Sequence, residues 1–224
     1  MNKIFKIVIT LLFSTVALAQ GTKTINLGDV SEVEVFDRIN VVLIPSNEYK
    51  AEVSGSNVND VEFELIDKKL KIHFPLHKFL EGESTKVLFY YKELHRVEGN
   101  EGSNISNTDV LKGRELLLEA KEGAEVRLNI EAETVKTNVF SAGVVAVAGV
   151  AAVQVISVLS GGKFEGKDLI TKETSVSVTA IGKAKIFATE TVNAKVRLSG
   201  TIEVYGNPKQ LTESRSMGGT IVRK

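Results

Sequence analysis

No cysteine occurs among the 224 residues. That excludes disulfides, thiolate metal sites, thiol nucleophiles and a lipid-anchored N-terminal cysteine. Tryptophan is also missing and only 6% of residues are aromatic, which removes the indole platform that stacks on sugars. With three prolines and 43% hydrophobic residues, the chain is neither disordered nor collagen-like. Charge of one sign is lacking too. Lys+Arg and Asp+Glu both number 28, so the basic footprint of a nucleic-acid-binding protein is absent.

What is present begins with an export signal. Lys3 and Lys6 precede an apolar run, Ile7 to Ala17, and Ala17-Leu18-Ala19 offers small residues for cleavage before Gln20. This pattern predicts a secretory signal peptide over residues 1–19. The run is shorter than the ~20 residues of a membrane span. Residues 20–224 are then expected to form one exported domain, and the missing cysteine argues against a lipoprotein.

That domain reads as strands with no amphipathic helix. Val33, Val35, Val41 and Leu43 alternate with polar neighbours on either side of Asp37-Arg38. Val61, Phe63 and Leu65 face Leu70, Ile72 and Phe74 across Ile66–Lys69, which predicts a β-hairpin. Pro75 ends that strand, Leu76 to Glu83 reads as a loop, and Val87, Phe89 and Tyr91 begin the next strand.

From residue 100 a repeat takes over. Gly102, Gly123, Gly143, Gly162, Gly182, Gly200 and Gly219 are spaced by 21, 20, 19, 20, 18 and 19. Alternating apolar residues follow the glycines at a comparable phase: Val126/Leu128, Val145/Val147, Phe164, Ala184/Ile186 and Ile202/Val204. A second set, centred on Val135, Val155, Val176 and Val196, lies half a period on. A strand period near 20 predicts a β-solenoid, with glycines supplying positive φ at the corners. A β-sandwich of evenly spaced hairpins is the competing fold. Whether the N-terminal strands are rungs or a cap stays open.

Several segments resemble a known family, the putative auto-transporter adhesins with a head GIN domain, found mainly in the Bacteroidetes cell envelope. They are Phe36-Asp37-Arg38-Ile39-Asn40-Val41-Val42-Leu43, the hairpin Leu65–Ile72, Leu198-Ser199-Gly200-Thr201-Ile202-Glu203-Val204-Tyr205-Gly206-Asn207-Pro208, and Ser216-Met217-Gly218-Gly219-Thr220-Ile221. The likeness extends over about residues 30 to 222. It implies a right-handed parallel β-helix-like solenoid and an envelope location. It brings no catalytic, cofactor or metal residues with it.

The residues themselves carry little chemistry. His73 and His77 are four apart, but Pro75 lies between them and no carboxylate completes a metal motif; His95 stands alone. Glu125, Arg127, Ala146, Ala148, Glu165, Lys185, Glu203 and Tyr205 are predicted to point outward. That is a solvated face with cross-rung ion pairs, not a catalytic cluster. The serine-rich corners have no histidine beside them, and Gly161-Gly162-Lys163-Phe164 opens a strand, unlike a phosphate loop. Phe89 and Tyr91 are expected in the core, and Tyr90 and Tyr205 outside it.

One stretch stands apart: Thr137 to Gly162 contains no charged residue. Its apolar core, Val144 to Leu159, is too short for a comfortable span and keeps the repeat phase. It predicts a rung whose outward positions are small and apolar. The expected function is a non-enzymatic exported contact protein or adhesin of the cell envelope, without cofactor or metal. Its expected partners are a polysaccharide, another envelope protein, or a second copy through the uncharged rung 143–160. A polysaccharide lyase or hydrolase on the same fold is the alternative, signalled by three or more carboxylates with Lys or Arg in one groove. A sensor or scaffold with one dedicated partner is a third class.

Overall fold

The computed structural model describes residues 22–224; the predicted signal peptide lies outside the described residues. Strands fill most of that length, with two 3-10 turns, Leu76–Lys78 and Gly82–Ser84, and no α-helix among the described residues. None of these elements is a helix long and apolar enough to cross a membrane.

The first nine strands are β1 (Lys23–Asn26), β2 (Glu32–Val35), β3 (Asn40–Pro45), β4 (Lys50–Gly55), β5 (Glu62–Ile66), β6 (Lys69–His73), β7 (Thr85–Tyr91), β8 (Arg96–Gly99) and β9 (Asn104–Asn107). β2 with β3, β6 with β7, and β8 with β9 form three rungs. The β2–β3 rung lies between the other two: β2 pairs in parallel with β6 and β8, and β3 with β7 and β9. The chain thus lays down one rung, adds the next on one side of it, and steps back past it to continue on the other. β4 adds antiparallel to β7, β1 to β4, and β5 to β6. The question left open by the sequence is thereby answered. β2, β3, β6 and β7 are rungs, and β1, β4 and β5 form a cap. The β5–β6 hairpin forms as expected, with Phe63 opposite Ile72 and Leu65 opposite Leu70.

Asp37 ties this end together. Its carboxylate is 3% exposed and accepts the Phe74 N–H at 2.8 Å and the Leu80 N–H at 3.0 Å. Its carbonyl accepts the Gly82 N–H. The loop between β6 and β7 is therefore pinned to the first turn.

The remaining strands are β10 (Leu111–Ala120), β11 (Glu125–Val139), β12 (Val144–Leu159), β13 (Lys163–Thr179), β14 (Lys183–Arg197), β15 (Thr201–Tyr205), β16 (Gln210–Ser216) and β17 (Thr220–Arg223). Here the rungs stack in chain order and in parallel. Glu125 sits opposite Val144, Val144 opposite Lys163, and Lys183 opposite Thr201. The result is a β-solenoid of about seven turns with roughly 19 residues between rungs. Each rung runs up an approach side, crosses a tight turn, and leaves on an exit side. The stacked turns form a crest. The uncharged segment is a strand, β12.

The core is a set of stacked columns. On the exit side Val126, Val145, Phe164, Ala184, Ile202 and Ile221 follow one another in register. On the approach side Ala120, Val139, Val158, Val178 and Val196 do the same. One cluster of buried apolar residues extends from Val30 to Ile221. Each fully buried Val or Ile contributes about 1.5–3 kcal/mol, and no rung could shelter its residues without its neighbours.

Two expectations need correction. First, most of the periodic glycines do not supply positive φ. At the crest that conformation belongs to the residues before them, as at Ser141 (49°) and Ala142 (63°), or Leu198 (55°) and Ser199 (48°); only Gly102 and Gly123 of the series adopt it. Gly143, Gly162, Gly182, Gly200 and Gly219 are needed for close approach. A Cβ on Gly143 would sit 2.3 Å from the Ala120 carbonyl oxygen, and one on Gly219 2.4 Å from Val196 Cγ1. Second, Val153 and Val155 face outward. The inward positions of that strand are Gln154, Ile156 and Val158, and Gln154 continues the column of Val135. Apolar residues on both faces hid the phase.

Candidate functional site

The outward column of the exit side runs Arg127, Ala146, Glu165, Lys185, Glu203. These positions point out as expected. Lys185 pairs with Glu165 at 3.0 Å, Arg127 pairs with Glu125, and the Tyr205 hydroxyl donates to Glu203 at 2.8 Å. The hydrogen bond to the Glu165 carboxylate, reinforced by its charge, raises the Lys185 pKa above its ordinary value.

β12 breaks this lattice of charge. Its outward Ala146 and Ala148 are short, so the long side chains on either side stand above them as walls. They bound a groove of about 440 Å³. One wall is Ser106, Asn107, Arg127 and Asn129; the other is Glu165, Lys167 and Asp168. Asn107 stiffens the first wall. Its side-chain amide donates to the Asn129 carbonyl at 2.8 Å, and its side-chain oxygen accepts the Asn129 N–H at 3.0 Å. A β-bulge shapes the second wall. Ala146 faces Glu165 but Ala148 faces Asp168, and on the next rung Gly166 faces Ile186 while Ile170 faces Phe187. The extra residues put Lys167 and Asp168 on the groove's rim, as bulges re-aim side chains elsewhere. Neither has an ion-pair partner among the described residues. Ala146 and Ala148 were legible from the sequence as outward positions. Asn129, Lys167 and Asp168 were not, because a bulge leaves no mark in an alternating pattern.

Carboxylates do gather with cations on the approach side. Glu34, Glu98 and Glu119 stand on successive rungs. Arg96 reaches Glu98 and Glu119 at 2.5 Å each, Lys121 reaches Glu98 at 2.6 Å, Lys69 reaches Glu34 at 3.1 Å, and Asn138 donates to Glu119. Burial pushes the Glu98 carboxyl up, but the Lys121 ammonium and the Arg96 guanidinium hold it below the usual range. Burial likewise opposes the charge on Arg96, and Glu119 and Glu98 outweigh it, raising its pKa. The three carboxylates are 4–7% exposed. They face their own cations and clamp the interleaved rungs to the solenoid.

The histidines do not meet at a common site. His73 borders a depression of about 550 Å³ that also gathers Asp37, Glu62, Glu64 and Glu101 with Lys71, the carboxylate-and-cation grouping expected of the enzyme alternative. His95 borders another of about 690 Å³ with Arg96, Arg114 and Lys136. His77 lies in the first 3-10 turn. No group of three or more metal-ligating side chains occurs among the described residues. Phe89 and Tyr91 are in the core, 0% and 3% exposed, and burial pushes the Tyr91 hydroxyl up to about 12, with Asp109 adding to it. Tyr90 faces outward and donates to Glu52 at 3.2 Å beneath the Lys50 ammonium.

Solved structures share this architecture. A putative adhesin from Bacteroides fragilis superposes with a TM-score of 0.85 at 18% identity, over 93% of this chain and 98% of that one. A putative adhesin from Parabacteroides merdae gives 0.72 at 19%, over 91% and 95%. A putative lipid binding protein from Parabacteroides distasonis gives 0.71 at 17%, over 91% and 96%. At such identities the likeness concerns the fold. No curated protein matches the chain. The model of one family does match, over residues 29–208, and on that match the chain belongs to the putative auto-transporter adhesins with a head GIN domain.

Proposed function

We propose that this protein is an exported, non-enzymatic contact protein of the cell envelope, and that it holds a polysaccharide strand in the β12 groove. The observation that carries this reading is a charge-free floor between polar walls on an otherwise charged flank. Ala146 and Ala148 let a strand lie close to the sheet. Asn129, Arg127, Lys167 and Asp168 offer donors and acceptors to hydroxyl groups along it. Individually weak contacts of this kind gain strength when a polymer meets many copies. The family's description and the names of two solved relatives support an adhesin-like role. The residue 1–19 pattern supports export.

A catalytic reading has less behind it. The approach-side carboxylates are closed by their own cations. Of the four that gather beside His73, Asp37 is held by two backbone N–H groups, and Glu62 and Glu64 lie against His73 and Lys71. The groove holds two carboxylates, Glu165 and Asp168, and Glu165 is engaged by Lys185. The test is retention of the purified protein on an isolated envelope fraction and on a panel of immobilised polysaccharides, with the supernatant analysed for released fragments. Retention without fragments is expected. Fragments would replace this reading with a lyase or hydrolase. Failure to bind any polysaccharide while binding an envelope protein would replace it with a dedicated protein partner.

A further inference from the structure

The crest changes character along the stack. At the N-terminal end its turns present Arg38, Glu101 and Glu122. At the C-terminal end three successive turns carry Ile181, Leu198 and Met217, which are 77%, 45% and 75% exposed. Hydrogen bonds from Ala180 to Arg197 and from Leu198 to Ser216 hold these turns in register. Leu198 and Met217 occupy the same turn position on adjacent rungs and Ile181 lies one residue further along the turn before them; with rungs ~4.8 Å apart, the three tips fall within roughly 10 Å along the stack.

Cations flank these tips. Lys163 and Lys183 stand on the exit side and Lys195 and Arg197 on the approach side, all exposed. None has an ion-pair partner among the described residues. The acids of the neighbouring rungs, Glu165 and Glu213, are engaged by Lys185 and Arg215. From residue 160 to the C-terminus, Lys+Arg number 11 and Asp+Glu 6, a net charge of 11 − 6 = +5.

We propose that this edge seats the protein on an anionic lipid surface. Ile181, Leu198 and Met217 enter the interface between headgroups and acyl chains, and Lys163, Lys183, Lys195 and Arg197 lie over the headgroups. Apolar tips ringed by cations are how peripheral proteins hold such surfaces. A soluble polyanion would use the cations and gain nothing from the three tips, and that difference favours lipid. Tight turns hold the tips, so insertion needs no rearrangement of the core. The crest and the β12 groove are separate surfaces, and either proposal can fail without the other.

The test is co-sedimentation of the purified protein with vesicles of phosphatidylglycerol and phosphatidylethanolamine, and with vesicles of phosphatidylcholine alone. Binding to the first, weakened by salt, and little binding to the second are expected. Each surface cation is worth about fivefold in affinity. Reversing three of them (Lys163→Glu, Lys183→Glu and Arg197→Glu) should therefore cost at least about a hundredfold. Ile181→Ser with Leu198→Ser and Met217→Ser should cost at least about tenfold, and Met217→Ser alone a measurable part of that. All six positions are exposed, so the strand signal in circular dichroism should not change. Wild-type protein that ignores phosphatidylglycerol vesicles, or binds phosphatidylcholine equally well, would overturn the proposal. So would tip variants that bind as the wild type does, which would leave only a charge interaction of the sort dextran sulfate could replace.

Discussion

The two ends of the stack solve the same problem differently. A solenoid must stop, and its last rung exposes both core and unpaired strand edges. At the N-terminal end the chain folds a lid: β4 and β5 add antiparallel to the outermost rung, β1 adds antiparallel to β4, and Asp37 pins the β6–β7 loop across the first turn. At the C-terminal end no strand is added, and β16 and β17 pair on one side only. There the inward columns change composition instead. Val192, Ala194 and Val196 are followed by Leu211, Glu213 and Arg215. Glu213 and Arg215 pair with each other, and Arg215 also donates to the Ile221 carbonyl at 3.1 Å. An inward-pointing ion pair stops a further rung from stacking. Charge separates in the same way. Residues 22–120 carry 12 cations and 18 anions, a net −6, and residues 121–224 carry 14 and 10, a net +4. One end is closed by structure and the other by charge.

The largest expected effect breaks the closed end. Asp37→Ala removes a buried carboxylate that accepts two backbone N–H groups, and should cost about 3 kcal/mol. Thermal unfolding should show this as a Tm lower by roughly 6–12 °C. A Tm unchanged within 2 °C would mean that the loop is not what holds that end.

The next pair sharpens the contrast between turn conformation and rung contact. Gly143→Ala pushes a Cβ into the rung below and should cost about 2 kcal/mol. Gly123→Ala meets nothing within 4 Å but holds φ at +77°, and should cost about 1 kcal/mol. Urea midpoints in the reverse order would contradict the close-approach account.

A smaller effect follows from the clamp between the interleaved rungs and the solenoid. The Glu98 pKa is lower in the fold than its ordinary value of 4.5, so its contribution is present above that value. It is lost as pH falls through the folded pKa. Tm should drop more steeply below about pH 4.5 in the wild type than in Glu98→Gln, a difference read from parallel melts. The smallest effect on stability belongs to the open end. Glu213→Val with Arg215→Val should change Tm by little, because both residues are partly exposed. The altered edge should stack, and sedimentation velocity should show larger species in the double variant alone.

How much of this was legible in the sequence depends on whether one residue sufficed to mark a position. The exit-side columns were readable because Val126, Phe164 and Ala184 alternate with charged neighbours and Val145 keeps their spacing. The approach side of β12 was misread because Val153, Val155, Ile156 and Val158 are apolar on both faces, while the inward residue is Gln154, 0% exposed with neither amide atom hydrogen-bonded. The interleaving of β2–β3 between two later rungs left no local trace, since each strand has the same alternation in either order. The groove was half legible. Its floor showed as a missing charge, but its rim depends on a bulge. The crest was read as turn chemistry alone, and its apolar tips became apparent only once stacking brought Ile181, Leu198 and Met217 onto three successive turns.

If a partner is held in the β12 groove, filling that groove must weaken its retention. The most direct measurement compares the wild type with an Ala146→Lys and Ala148→Lys double variant for retention on the polysaccharide that the wild type binds, with Tm recorded for both. Tm should be unchanged, because both alanines face outward, and retention should fall by at least about tenfold as the lysines fill the floor. Equal retention by the two proteins would contradict this and place the binding surface elsewhere on the stack.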